Sequence, residues 1–214
     1  MSKKPILNFT SYKFIFWDFD GVIKDSVNIK KKAFGALFSE FGSDISNRVM
    51  LHHIQNGGIS RSQKIPLYLT WAGLKPTKEL IETYSRRFSV IVKQAVIESE
   101  WVPGVFKYLE KNHKRQIFFL LTATPDYEIN EILTKLNIKD FFSRVYGSNT
   151  SKEKAIAVEL ENYSAKPKDA VMIGDAISDF QAAKSNKIDF VLRNTSYNRE
   201  LQLNCNCRKI NNFL

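Results

Sequence analysis

The residues Phe14-Ile15-Phe16-Trp17, followed at once by Asp18-Phe19-Asp20-Gly21, constrain this chain more than any other stretch. An unbroken apolar and aromatic run of that length reads as a strand buried on both faces, which calls for layers above and below a parallel sheet. The run delivers two carboxylates to its own end. Residues i and i+2 of a strand project to one side, so Asp18 and Asp20 crowd their charges unless a cation or a shared proton relieves them. Gly21 stands where backbone turns sharply or approaches a ligand. Taken alone, this motif reads equally as an exposed acidic turn.

The pattern recurs along the chain. Ile117–Leu121 is a second fully apolar strand, ending in Thr122-Ala123-Thr124-Pro125, and Val145-Tyr146, Ala170–Ile173 and Ile188–Leu192 read as three more. Helical spacing fills the gaps at Val105–Lys111, Asp126–Leu136, Ser151–Leu160 and Ala176–Ser185. Such alternation predicts an α/β fold, a Rossmann-like doubly wound parallel sheet with helices on both faces. Between the first two strands, by contrast, residues 27–100 show no strand signal. Helices are predicted there at Asn28–Phe41 (ended by Gly42), Asp44–Ile54, Ser60–Trp71 with Ser60 as N-cap, and Thr77–Ser99. The expected organisation is an α/β core of residues 1–26 plus 101–214 and an inserted all-helical cap of residues 27–100. Residues 197–214 carry no pattern that assigns them.

Composition narrows the partners. The formal net charge is +10 and the pI about 9.5, yet Lys and Arg are spread along the chain. The one short run, Lys30-Lys31-Lys32, sits in a helical pattern and reads as a solvated face. This argues against a nucleic-acid partner and suits a small anionic substrate. A non-catalytic basic interaction protein is the competing reading of the charge. Cys205 and Cys207 are expected as reduced thiols, too close in sequence for an unstrained loop and too few for a zinc site. Met1–Pro5 is not backed by an apolar run of signal-peptide length, and no stretch spans a bilayer, so no membrane partner and a cytoplasmic location are expected. Oligomeric state cannot be read.

In a doubly wound sheet, ligands bind beyond the carboxyl ends of the strands. Asp18, Asp20, Thr122 and Asp175 all fall there, and Asp179 lies four residues past Asp175, on the same side if a helix begins there. Four acids in one pocket call for a hard cation with oxygen ligands, and magnesium fits. Asp175 reads alternatively as a helix N-cap. Thr122 reads either as a turn residue or, with the N–H of Ala123, as a holder of a phosphate oxygen. Lys152, in a first helical turn where the dipole disfavours cations, either neutralises Asp18 and a phosphoryl group or is solvated. Arg61, in the Gln55–Arg61 loop, either pairs with an anionic part of a substrate or belongs to an ordinary connection. His52, His53 and His113 lack metal-ligand spacing and are read as structural or solvated.

These stretches together resemble the haloacid dehalogenase superfamily of phosphotransferases, across nearly the whole chain. Its four ordered motifs are matched by Asp18-Phe19-Asp20-Gly21, by Thr122, by Lys152, and by Gly174-Asp175 with Asp179. The helical insert resembles the cap of the phosphoglycolate phosphatase and β-phosphoglucomutase branch. The resemblance implies a magnesium-dependent phosphatase acting on a small phosphorylated metabolite. Asp18 would be the nucleophile forming an aspartyl-phosphate, and Asp20 the proton carrier whose backbone carbonyl joins the metal shell. Asp18 and Asp175 would supply metal carboxylates, Thr122 and Lys152 would hold the transferred group, and Asp179 would orient Lys152 or a metal-bound water. β-Phosphoglucomutases place a histidine ten residues after the second Asp where this chain has Lys30, which departs from the mutase reading. A lysine of the run 30–32 could imitate the Schiff-base lysine of phosphonatase-like members, but no apolar burial is evident around it. A receiver-like phosphoacceptor domain is the remaining alternative, and it would lack the helical insert.

Overall fold

The computed structural model describes residues 9–214, so Met1–Pro5 lies outside the described residues. Six strands form one all-parallel sheet, β1 (Phe14–Trp17), β2 (Ile117–Leu121), β3 (Arg144–Tyr146), β4 (Ala170–Gly174), β5 (Asp189–Arg193) and β6 (Arg208–Ile210), in the order β3-β2-β1-β4-β5-β6. The chain winds from β1 towards one edge and then returns to wind towards the other, so β1 and β4 flank the switch point of the sheet. Register is set along the central strand: Trp17 lies opposite Leu120 on one side and Ile173 on the other.

Alternation along β1 divides the core in two. Ile15 and Trp17 point into one apolar cluster, Phe14 and Phe16 into the other, and all four are buried. The first cluster is closed by α5 (Val105–Asn112) and α6 (Asp126–Lys135), the second by α7 (Lys152–Asn162) and α8 (Ile177–Ser185). Each large side chain so buried contributes on the order of 1.5–3 kcal/mol. The expected doubly wound architecture is present.

The insert is helical, as its spacing predicts: α1 (Val27–Leu37), α2 (Ser43–Gln55), α3 (Arg61–Trp71) and α4 (Lys78–Glu98). The helix expected over Asn28–Phe41 stops at Leu37, and Ser39–Phe41 forms a 3₁₀ turn before Gly42, whose φ of 95° suits only glycine. Thr77 caps α4 by accepting from the Leu80 N–H, whereas the Ser60 hydroxyl makes no cap bond and turns to the side chain of Ser62. Phe34 packs its ring on Phe88 and Tyr68, which ties α1, α4 and α3 together. The segments that leave and re-enter the sheet are held side by side, with Asp25 N–H donating to Glu100 O and Val102 N–H to Ile23 O. Between them the buried Lys24 ammonium donates to Ile97 O and lies 4.5 Å from the Trp101 ring.

At the C-terminal end of the chain two sequence expectations need correction. Residues 197–214 are structured: α9 (Arg199–Asn204) leads into β6, a strand too short for its three residues to show a period. Cys205 and Cys207 are joined in a disulfide and are not reduced thiols. The reason is geometric: between the end of α9 and the start of β6 the chain bends at Cys207, which brings the two Cα atoms to 5.3 Å, closer than the roughly 6.6 Å of an extended i, i+2 pair and within disulfide reach. Among the described residues, no helix is long and apolar enough to cross a membrane.

Candidate active site

The site forms where β1 and β4 end, because parallel strands in this register release their chain at one rim. Asp18 follows β1 and its N–H donates to Ile173 O of β4, which sets the first motif beside the fourth. Asp175 follows β4. Carboxylate oxygens of Asp18, Asp175 and Asp179 lie within 4.8 Å of one another. Gly21, at φ 76°, backs this group so closely that a Cβ there would stand 2.2 Å from Asp175 Oδ2. The requirement for glycine is therefore both conformational and steric.

Lys152, the first residue of α7, is buried and reaches into the cluster, its Nζ 2.8 Å from Asp18 Oδ1 and 2.5 Å from Asp179 Oδ1. The other Asp179 oxygen accepts from the N–H groups of Asp175 and Ala176. Asp179 thereby caps the start of α8, the role that sequence alone offered to Asp175; the N-cap position itself belongs to Ala176. With all three carboxylates ionised, they would exceed the one ammonium by two negative charges. Burial, and then repulsion by Asp179 and Asp20 against the pull of Lys152, pushes the Asp18 carboxyl up to about 7. Burial and the neighbouring Asp18 and Asp179 also raise Asp175 well above the usual carboxylate range. Burial works against the Lys152 charge, but Asp179 and Asp18 outweigh it and hold the ammonium protonated. A donor set made wholly of oxygen, carrying two surplus charges, fits a hard divalent cation such as magnesium.

Asp20 stands apart from this cluster with its own counter-ion. Its Oδ1 accepts from Ser26 Oγ at 2.6 Å and its Oδ2 from Lys30 Nζ at 2.5 Å, while Lys30 also donates to Thr124 Oγ1 at 2.8 Å. Lys30 is therefore no member of a solvated lysine face. It lies near the start of α1, where the insert leaves the sheet, and points back at the strand ends. Thr122 is buried at the end of β2, its Oγ1 accepting from the Thr124 N–H, and Ala123 and Thr124 line the cavity next to it.

That cavity has a volume of about 410 Å³ and lies between the strand ends and the insert. Asp18, Asp20 and Asp175 form its floor; His53, Gly58 and Lys64 come from the insert. A Cβ on Gly58 would sit 1.9 Å from Ser178 Oγ, so the Gln55–Arg61 loop does approach the core closely. Arg61 borders the cavity, but its guanidinium is paired with Glu128 of α6, also bonds Ser89 of α4, and lies over the Phe88 ring. His52 bonds the Tyr68 hydroxyl, whereas His53 faces the cavity with Nδ1 3.0 Å from Lys64 Nζ. Asn198, from the stretch that sequence left unassigned, donates to Asp175 O and Arg193 O and braces the acidic loop. Lys64 could have been suspected from its i+3 relation to Arg61 on the face carrying Ile65 and Tyr68; Glu128 gave no comparable signal.

Comparison with known proteins identifies the family and the fold. The haloacid dehalogenase-like hydrolase family matches residues 15–192. The phosphoglycolate phosphatase of Pseudomonas putida is 23% identical over 197 residues, covering 87% of this chain and 71% of the relative. The crystal structure of a predicted phosphoglycolate phosphatase from Haemophilus somnus superposes with a TM-score of 0.74 at 20% identity, covering 96% of each chain. The CbbY protein of Rhodobacter sphaeroides, crystallised with a xylulose bisphosphate, superposes with a TM-score of 0.74 at 15% identity over 94% of this chain and 95% of its own. With its acids, lysine and helical insert arranged on the predicted strand ends, the chain belongs to the haloacid dehalogenase-like hydrolase family.

Proposed function

We propose that this protein is a magnesium-dependent phosphatase that hydrolyses a small phosphorylated metabolite through an aspartyl-phosphate on Asp18. The observation that carries the reading is the buried grouping of Asp18, Asp175 and Asp179 around Lys152, with Asp20 separately paired at the cavity floor. The names of relatives, phosphoglycolate phosphatase among them, favour a small phosphorylated acid or sugar.

Asp18 and Asp175 would hold the metal with their carboxylates and Asp20 with its backbone carbonyl; bound magnesium supplies charge neutralisation for the phosphoryl group. A carboxylate oxygen of Asp18 attacks phosphorus, a new O–P bond forms, and the bond to the leaving oxygen breaks. Asp20 hands a proton to that leaving oxygen, then takes one from the water that cleaves the aspartyl-phosphate. Lys30 and Ser26 fix where the Asp20 carboxyl sits. Lys152, the Thr122 hydroxyl and the Ala123 N–H hold the oxygens of the transferred group, since positioning and charge stabilisation dominate phosphoryl transfer. Asp179 acts through Lys152 by orienting it.

The test is phosphate release from p-nitrophenyl phosphate with magnesium and with chelator. Asp18→Asn is expected to lower turnover by more than ~1,000-fold, as loss of a nucleophile does. Wild-type turnover in that variant would overturn the mechanism.

A further inference from the structure

The face of α3 turned into the molecule carries two cations one helical turn apart, Arg61 and Lys64. They are treated differently. Arg61 is neutralised by Glu128 and anchors α3 to the core. Lys64 is 2% exposed and borders the cavity, yet among the described residues it makes no ion pair; its ammonium bonds the His53 ring. Burial, followed by repulsion from Lys30 and only then offset by Asp20, pushes its ammonium down to about 7. The His53 ring offers no counter-charge, because burial and the Lys64 and Lys30 charges hold its pKa well below the usual histidine value. A buried ammonium without a counter-ion costs stability, and an apolar side chain would fill the same place more cheaply. Nothing in the packing of α3 calls for a charge there, since Ile65, Tyr68 and Leu69 supply its apolar contact. What the position does offer is a buried cation, carried by the insert, on the lining of the same cavity that Asp18, Asp20 and Asp175 line from the strand ends.

We propose that Lys64 is the specificity-determining residue for a second anionic group on the substrate, a carboxylate or a second phosphate, bound while the first phosphoryl group lies at Asp18. The Arg61–Glu128 pair is then the positioning element that holds α3 so that Lys64 faces the cavity. This rests on the phosphatase reading above and specifies the class of substrate. Lys64 donates to the second anion, its charge becomes neutralised, and a phosphomonoester whose alcohol part is uncharged lacks that partner.

The experiment uses the full chain with magnesium and three phosphomonoesters on one two-carbon skeleton: ethyl phosphate, phosphoglycolate and ethanediol bisphosphate. The expected result is a kcat/KM for one of the two anionic compounds at least about tenfold above that for ethyl phosphate, in keeping with a charge-assisted hydrogen bond. Whichever anionic compound is favoured identifies the second group. Lys64→Met and Lys64→Gln should bring the ratio near one, and Lys64→Arg should restore part of it. Lys64→Met should also raise the melting temperature in the absence of substrate by a few degrees, which a lysine retained for structure would not do. Lys168→Met, at an exposed site before β4, controls for net charge and should leave the ratio unchanged. A wild-type ratio near one, or a ratio that survives Lys64→Met and Lys64→Gln, overturns the proposal. Cleavage of p-nitrophenyl phosphate separates the two failures: if it proceeds while the ratio is one, only the role of Lys64 falls; if it does not, the phosphatase reading falls with it.

Discussion

Two buried charge clusters border the same cavity and are built on opposite principles. At the pin between insert and core, Arg61 and Glu128 match one charge to one charge, Ser89 bonds both, and the Glu128 side chain is 1% exposed. At the floor, Asp18, Asp175 and Asp179 exceed Lys152 by two charges, and burial lifts Asp18 to about 7. A balanced buried pair is costly to break and has nothing left to bind. An unbalanced one is costly to keep and is completed only by something from outside. On this contrast the first is scaffold and the second carries the proposed chemistry, and Lys64, without an ion pair among the described residues, is grouped with the second.

The largest effect expected is at the pin. Glu128→Ala strands a buried guanidinium and should lower folding stability by about 3–5 kcal/mol, read from urea unfolding. A loss near zero would mean that the pair is not a structural lock and would break the contrast. Next comes the floor, where Asp175→Asn should cut magnesium-dependent turnover by about 100-fold or more and yet raise the melting temperature of the metal-free protein. A variant that is both inactive and less stable without metal would place the floor in the same class as the pin.

The pH dependence sharpens the same point. Because the folded pKa of Asp18 lies above its unfolded value, the native state binds more protons between about 4 and 7, so the metal-free protein loses stability as pH rises through that window. Magnesium should oppose this, raising the melting temperature more at about pH 8 than at about pH 5; an equal shift at both would argue against carboxylate ligation. The smallest effect is expected at Lys30. Lys30→Met frees Asp20 and Thr124 and should lower kcat about tenfold with KM little changed, as loss of a residue that orients a catalytic group does.

Much of this was legible along the chain. The runs Phe14–Trp17, Ile117–Leu121 and Ala170–Ile173 read as fully buried strands and lie together at the centre of the sheet. Their polar ends, at Asp18, Thr122 and Asp175, lie at one rim because parallel strands share a direction. Other features left no trace. Lys30, in a run of three lysines, looked solvated, and only the exit of α1 beside β1 turns it onto Asp20. Arg61 and Glu128 are 67 residues apart, in stretches that each look like an ordinary amphipathic helix. The disulfide and β6 fall in a stretch too short and irregular for periodicity to register.

By itself, then, the sequence determined the strands β1 to β5, the helices α1 to α8 and the residues that stand at the ends of those strands, because these follow from local periodicity and from the shared direction of a parallel sheet; α9 and β6 did not show in it. Only the tertiary structure decided which charges are paired. Pairing depends on distances between segments remote in sequence, and burial multiplies its energetic weight. Arg61 and Lys64, three residues apart on one helix, therefore ended in opposite electrostatic circumstances.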